Sequence, residues 1–284
     1  MKGKTAAPSR QRAIGFVGGG NMAGALIKGL LAVGLYRPEE LCASDVDAQK
    51  RTLLRRRFRI DVTADNRALV RGAKVIVLAV KPQIIGEVLA ELREVATPAT
   101  LFLSIAAGVN TARLEAGLGT GSRVLRVMPN APALLGKGMS VLVRGRHATA
   151  ADERLGLRLL RAVGQAVAVS DERLLDAVTG LSGSGPAYVY LFAEGLIAGG
   201  VNAGLPRRLA TLLASQTLSG AAAMLQETGE SPEALRAMVT SPGGTTLAGL
   251  TELQARGFKD AIAAAVVSAT RRSEELGRVS KRPS

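Results

Sequence analysis

The sequence predicts an α/β domain built on a mostly parallel, doubly wound sheet, followed by an all-α domain. Short apolar runs alternate with helical patterns in the first half of the 284-residue chain, whereas Ala- and Leu-rich helical patterns fill the second half. Strands that alternate with helices are typical of a parallel sheet covered by helices on both faces. The length of the chain also suggests two domains.

Seven apolar runs are predicted to be strands, and three segments of helical period between them are predicted to be helices. The predicted strands are residues 13–17, 41–44, 74–79, 100–104, 123–127, 139–143 and 165–169. The predicted helices are residues 22–33, 84–95 and 152–163. We therefore assign residues 13–170 to the first domain and the basic residues 1–12 to a disordered tail.

The second domain is predicted to be helical throughout, over residues 171–284. The predicted helices are residues 174–204, 206–227, 232–239, 245–255 and 259–277. Pro206 and Pro232 stand where helices would begin, and Gly257 and Gly277 stand where helices would end. The apolar segment 188–205 contains Glu194 and several glycines, so we expect a buried helix and not a membrane span.

The composition excludes several kinds of site. Cys42 and His147 are the only cysteine and the only histidine, so the chain has no internal disulfide, and we expect no metal site and no Ser-His-Asp triad. Cysteine usage favours a reducing cytoplasm. The net charge of +14 is dispersed and aromatic residues are only 3% of the chain, so we expect neither a nucleic acid nor a membrane as partner.

A glycine pattern follows the first predicted strand. Gly18, Gly20 and Ala23 fit the G-x-G-x-x-A fingerprint of dinucleotide binding, and a helix is predicted to begin there. The first glycine permits a tight turn, the second permits close approach of a pyrophosphate, and the helix N-terminus attracts that anion. The pattern predicts a Rossmann-type domain.

The residues leave the choice of cofactor open. Asp45 follows the second strand where an acid binds the adenosine ribose, which favours NADH. Ser44, Lys50 and Arg51 lie nearby and would suit the 2′-phosphate of NADPH. Two later strands are expected to end at the same edge of the sheet. The small side chains there leave room for a nicotinamide; the residues are Ala79, Val80, Lys81 and Pro82 after one strand, and Ala106 and Ala107 after the other.

The shortage of acid–base groups restricts the reaction. A hydroxyacid dehydrogenase needs a proton donor such as lysine, but the first long helical segment of the second domain contains neither lysine nor histidine. A protonated imine is already electrophilic and accepts hydride directly. Reduction of a C=N bond therefore suits this chain better.

Six motifs occur in order: GFVGGGNMA, LAVKPQ, SIAAGV, MPNAPA, LSGSGPAYVY and SPGGTT. In these motifs the chain resembles pyrroline-5-carboxylate reductases over residues 14–276. The resemblance implies reduction of L-1-pyrroline-5-carboxylate to L-proline with NADPH or NADH. It also implies an all-α C-terminal dimerisation domain and a homodimer, with a higher ring such as a decamer left open.

The resemblance also implies roles for individual residues. It implies that the glycine turn, the ends of the next strands and Asn66 contact the cofactor. These residues are Gly18, Gly20, Asn21, Met22, Ser44, Asp45, Asn66, Ala79, Val80, Lys81, Pro82, Ala106 and Ala107. It implies that the substrate is bound by Ser241, Gly243, Gly244, Thr245 and Thr246. Thr246 is the candidate catalytic residue, positioned to hydrogen-bond the ring nitrogen.

The SPGGTT loop has its own physical interpretation. Two glycines free backbone N–H groups ahead of a predicted helix N-terminus, which suits a carboxylate. The alternative is that Thr245 or Thr246 is only an N-cap. Two rival functions also remain open, namely reduction of a six-membered cyclic imine and a non-catalytic role in sensing dinucleotides or binding nucleic acid.

Overall fold

The computed structural model describes residues 12–279, and a single eight-stranded sheet organises the first part of them. The strands are β1 (Arg12–Val17), β2 (Leu41–Ser44), β3 (Asp61–Thr63), β4 (Ala73–Leu78), β5 (Leu101–Ser104), β6 (Arg123–Met128), β7 (Gly138–Arg144) and β8 (Gly164–Val169). Their order is β3-β2-β1-β4-β5-β6-β7-β8. Neighbours pair in parallel except β6 and β7. The predicted mostly parallel, doubly wound sheet is confirmed.

Twelve α-helices complete the described chain. They are α1 (Asn21–Ala32), α2 (Ala48–Phe58), α3 (Asn66–Arg71), α4 (Ile85–Leu92), α5 (Thr111–Leu118), α6 (Ala150–Leu160), α7 (Leu174–Val178), α8 (Gly185–Asn202), α9 (Arg207–Glu227), α10 (Pro232–Met238), α11 (Thr245–Ala255) and α12 (Phe258–Val279). A π-helix, Thr179–Gly183, lies between α7 and α8 in the chain. Within residues 12–279, no helix is both long enough and apolar enough to cross a bilayer.

Two apolar cores cover the two faces of the sheet. Alternate residues of one strand enter different cores: Val75 and Val77 of β4 join one, whereas Ile76 and Leu78 join the other. The first core contains side chains of α1, α2 and α6, and the second contains side chains of α3, α4 and α5. Strands buried on both faces require near-continuous apolar sequence, which explains why the runs were recognisable.

The observed elements differ from the predicted ones at several points. The short strand β3 and helices α2, α3 and α5 were not predicted. The predicted helix 174–204 is interrupted by the π-helix. Arg12, assigned to the tail, is the first residue of β1 and pairs with Ala73; the rest of that tail prediction lies outside the described residues. Gly277 does not end a helix, because α12 continues to Val279.

The described residues form two compact units. The first comprises residues 12–183 and 269–279, and the second comprises residues 184–268. The boundary between the units lies after Gly183 and not before α7, because α7 packs on the sheet. Leu175 of α7 is fully buried with Val141 and Val143 of β7. The proposed domain boundary at 170/171 marks where the strands end and stays a prediction.

The second unit consists of helices that bury very little. Among residues 184–268, only Ala210 and Ala214 of α9 are buried. Helix α8 packs on α9, where a Cβ on Gly200 would lie 3.1 Å from the Cβ of Ala210. Large apolar side chains are otherwise exposed along these helices, including Leu191, Leu212 and Met238. Exposed apolar surface on this scale indicates an interaction surface.

Candidate functional site

The turn after β1 requires glycine at position 18. Gly18 has φ +98°, and a Cβ there would lie 2.6 Å from the carbonyl oxygen of Ala79. The Gly18 N–H donates to the carbonyl oxygen of Ser44 over 2.8 Å, and the Ala79 N–H donates to that of Val17 over 2.8 Å. The structure thus brings the glycine turn, the end of β2 and the end of β4 together at the carboxyl edge of the sheet.

The N-terminus of α1 opens at this edge. Gly20 is its N-cap, no side chain caps the helix, and no atom lies within 4 Å of a Cβ built on Gly20. Backbone N–H groups of an uncapped first turn, with the positive end of the helix dipole, suit an anion. Asn21 and Met22 begin the helix here. This part of the chain fits a dinucleotide pyrophosphate.

Asp45 is turned towards the backbone. Its Oδ2 accepts the Gly19 N–H over 2.8 Å, and its Oδ1 accepts the Asp47 N–H over 2.9 Å. The Nζ of Lys50 lies 3.6 Å from Oδ2, and the Asp45 side chain is only 9% exposed. The Asp45 carboxylate therefore joins the glycine turn to the segment that follows β2.

Ser44 and Asn66 interact with each other. The Ser44 hydroxyl donates to Asn66 Oδ1 over 2.6 Å, and Asn66 Nδ2 donates to Glu91 Oε2 over 2.9 Å. Ser44 is fully buried, whereas Asn66 is partly exposed. A ligand could therefore contact the partly exposed Asn66, whereas the buried Ser44 lies beneath it.

The ends of β4 and β5 lie side by side, as predicted. The Ile105 N–H donates to the carbonyl oxygen of Leu78 over 3.1 Å. Lys81 and Ala107 are exposed, and Pro82 opens a short 3₁₀-helix, but Ala106 is buried in the second core. Ala106 therefore shapes this edge from beneath, whereas Ala107 can contact a ligand directly.

The side chain of Asn130 fixes the loop that follows β6, which begins with the MPN sequence at residues 128–130. Its Nδ2 donates to the carbonyl oxygen of Ser182 over 3.1 Å, and its Oδ1 accepts the Met139 N–H over 2.8 Å. Ser182 belongs to the π-helix, a rare element that often marks functional sites. The side-chain amide of Asn130 thus holds two backbone segments together at this loop.

The SPGGTT loop lies in the second unit, ahead of α11. Gly243 has φ +69°, and the Gly244 N–H donates to the carbonyl oxygen of Ser241 over 3.0 Å. Gly244 is the N-cap, with no side-chain cap, and α11 begins at Thr245. The alternative in which Thr245 or Thr246 is the N-cap is therefore wrong. Both threonines are exposed, together with Ser241.

Two supporting groups were not predicted from the sequence. They are the Gly19 N–H and the Glu91 carboxylate, each of which holds a predicted site residue. The fingerprint could have indicated Gly19, since it lies between Gly18 and Gly20, but no spacing signal relates Asn66 to Glu91. Among residues 12–279, no cluster of three or more His, Cys, Asp or Glu is arranged to hold a metal ion.

Comparison with known proteins agrees with this geometry. Residues 172–276 match the family model for pyrroline-5-carboxylate reductase dimerisation, and residues 13–108 match the model for NADP oxidoreductase, coenzyme F420-dependent. A pyrroline-5-carboxylate reductase of Methanosarcina acetivorans is 44% identical over 93% of this chain and 98% of its own length.

Solved structures are similar over almost the whole chain. The structure of a pyrroline-5-carboxylate reductase from Coxiella burnetii has a TM-score of 0.89 at 37% identity, covering 94% of this chain and 98% of that one. Plasmodium falciparum pyrroline carboxylate reductase with NADP bound has a TM-score of 0.84 at 31% identity, covering 95% and 100%.

Proposed function

Because the chain belongs to the pyrroline-5-carboxylate reductase family, we propose that it reduces L-1-pyrroline-5-carboxylate to L-proline, the last step of proline biosynthesis. The observation that carries the proposal is the SPGGTT loop, where exposed hydroxyls stand at an uncapped helix N-terminus. A small cyclic imine with a carboxylate matches both features.

The cofactor belongs at the carboxyl edge of the sheet. When bound there, NADPH or NADH supplies the hydride. The open first turn of α1, next to Gly20, supports the pyrophosphate, with Asn21 and Met22 in that turn. Residues 79–82 and Ala107 border the nicotinamide end, and Asn66 borders the adenosine end. Gly18 keeps the turn tight enough for this arrangement.

The substrate belongs at the SPGGTT loop. The Ser241 hydroxyl and the N–H groups of Thr245 and Thr246 bind the carboxylate, since the uncapped N-terminus of α11 after Gly243 and Gly244 favours an anion. Thr246 lies in the first turn of α11, and its hydroxyl hydrogen-bonds the ring nitrogen. Thr245 lies beside it. Hydride addition to an iminium carbon needs no general base, which agrees with the absence of histidine and lysine from this loop.

Replacement of Thr246 tests this role. We expect Thr246→Ala to lower kcat/KM for L-1-pyrroline-5-carboxylate by about 100-fold, because it removes one hydrogen bond used in the transition state. The dissociation constant of NADP⁺ should stay within twofold. Thr251→Ala is the matched control, since Thr251 lies on the same helix and its hydroxyl only donates to the carbonyl oxygen of Leu247. Equal activity of the two variants would falsify the assignment.

The second unit, residues 184–268, also supports oligomerisation. We propose a homodimer formed through residues 184–268, with a larger ring as a further level of assembly, because these helices expose long apolar side chains that one copy leaves uncovered. Leu212 is 64% exposed on α9, and Leu53 is 60% exposed on α2. Light scattering should show that Leu212→Glu dissociates the oligomer and that Leu53→Glu does not. A monomeric wild-type protein at micromolar concentration contradicts the proposal.

We further propose that the protein works in the cytoplasm. The proposal rests on Cys42, which is buried and is the only cysteine of the chain. A chain that needs no disulfide folds under reducing conditions. Fractionation of the native cell, with the protein detected by an antibody, tests this location.

A further inference from the structure

We propose that Lys50 selects NADPH over NADH in this protein. The proposal rests on the cofactor site described above and adds its discriminating residue. It reverses the sequence-based expectation that Asp45 favours NADH, and the reason lies in how the Asp45 carboxylate is engaged.

Asp45 is poorly placed to bind a ribose. Both carboxylate oxygens accept backbone N–H groups, from Gly19 and from Asp47, at 2.8 and 2.9 Å. The side chain exposes only 9% of its surface. An acid that selects NADH must offer a free carboxylate edge to the ribose hydroxyls. Here each carboxylate oxygen already accepts one backbone N–H, and little of the side chain is exposed to receive two ribose hydroxyls.

The charge of Asp45 is also balanced. Two N–H donors and the Lys50 ammonium surround it, which lowers the repulsion that it would exert on a 2′-phosphate. Arg51 adds a second positive charge close by, and one of its nitrogens donates to the carbonyl oxygens of Asp45 and Val46 at 2.7 and 2.9 Å. The segment after β2 therefore tolerates a phosphate at this position.

Lys50 is the cation that can respond to the ligand. Its Nζ lies 3.6 Å from Asp45 Oδ2, beyond normal hydrogen-bond distance, and its side chain is 49% exposed. The Arg51 guanidinium is held by two carbonyl oxygens, whereas the Lys50 ammonium can turn to a phosphate without breaking a short hydrogen bond. A ribose without a phosphate gains nothing from this movement, so the interaction discriminates between the two cofactors.

Calorimetric titration of the full-length protein with NADP⁺ and with NAD⁺ tests the proposal without any imine substrate. We expect the wild-type protein to bind NADP⁺ at least tenfold more tightly than NAD⁺. Lys50→Gln should weaken NADP⁺ binding by about tenfold and leave NAD⁺ binding within twofold, since one charge-assisted contact is removed. Arg56→Gln is the control for charge alone, because Arg56 is exposed on the same helix.

Three results overturn the proposal. They are tighter binding of NAD⁺ by the wild-type protein, an unchanged ratio of the two affinities in Lys50→Gln, or an equal change of that ratio in Arg56→Gln. The first result would restore Asp45 as a ribose ligand. A protein that shows the expected ratios but does not reduce pyrroline-5-carboxylate would refute the proposed function and leave this inference standing.

Discussion

The Ser44 hydroxyl donates to Asn66 Oδ1 over 2.6 Å, so a fully buried serine orients the amide that we propose borders the adenosine end of the site. The other end of that amide donates to Glu91 Oε2. With both ends held, the Asn66 side chain has one orientation, and its remaining N–H is available to a ligand.

Removal of this serine hydroxyl should weaken cofactor binding. Ser44→Ala removes this hydrogen bond, which contributes about 0.5–1.5 kcal/mol, and it frees the amide to rotate. We expect the dissociation constant of NADP⁺ to rise three- to tenfold, as measured by fluorescence titration. Ser122→Ala is the control, because Ser122 is also buried and donates to the carbonyl oxygen of Gly119, before β6. If the two variants bind NADP⁺ alike, the Ser44 hydroxyl has no positioning role.

Replacement of Gly18 by alanine should lower stability, whereas replacement of Gly20 by alanine should weaken cofactor binding. Gly18→Ala forces a side chain into φ +98° and against the Ala79 carbonyl oxygen, so we expect a loss of more than about 2 kcal/mol of unfolding free energy. Gly20 has φ −74° and open space around it, so Gly20→Ala should fold normally but bind NADP⁺ at least tenfold more weakly. Urea unfolding and calorimetric titration of both variants distinguish the two effects. Normal binding by Gly20→Ala would mean that the pyrophosphate lies elsewhere.

The central strands were predictable because they are buried on both faces. The runs 13–17, 41–44 and 123–127 each became a strand within one residue of the predicted bounds, and each strand has four buried residues in succession. The short strand β3 escaped detection because its sequence, Asp-Val-Thr, has one apolar residue and none of the three is buried. Helix α2 buries only Leu54 and Phe58 among many arginines, so its amphipathic period is weak.

The candidate site was predictable where backbone conformation demands a residue type. Gly18 and Gly243 both have positive φ, and both were identified from their motifs. Side-chain contacts across the fold were not predictable, because Asn66 and Glu91 meet only after α3 and α4 pack on the sheet. The engagement of Asp45 by Gly19 also depends on how two loops meet, which no spacing rule describes.

The ion pair of Arg126 and Glu172 should stabilise the first unit. Arg126 Nη1 lies 2.9 Å from Glu172 Oε1, and the Thr111 N–H and hydroxyl donate to the same carboxylate at 2.8 and 2.7 Å. Glu172→Ala leaves a buried guanidinium without its partner, so we expect a loss of about 2 kcal/mol in urea unfolding. Arg173→Ala removes the neighbouring pair with Asp171, in which the Arg173 side chain is 90% exposed, and should have no measurable effect. Equal stability of both variants would show that the Arg126 pair contributes nothing.

Cys42 should make the protein less stable at high pH. Burial in β2 raises the pKa of the Cys42 thiol from its ordinary 9.0 to about 11. Between these two values the unfolded chain releases the thiol proton and the folded chain keeps it, so the stabilising contribution is present below pH 9 and is lost as the pH rises towards 11. We therefore expect the unfolding free energy of the wild-type protein to fall more steeply from pH 8 to pH 10.5 than that of Cys42→Ala. Urea titrations at both pH values measure the difference, and parallel losses in the two proteins would show that the thiol keeps an ordinary pKa in the fold.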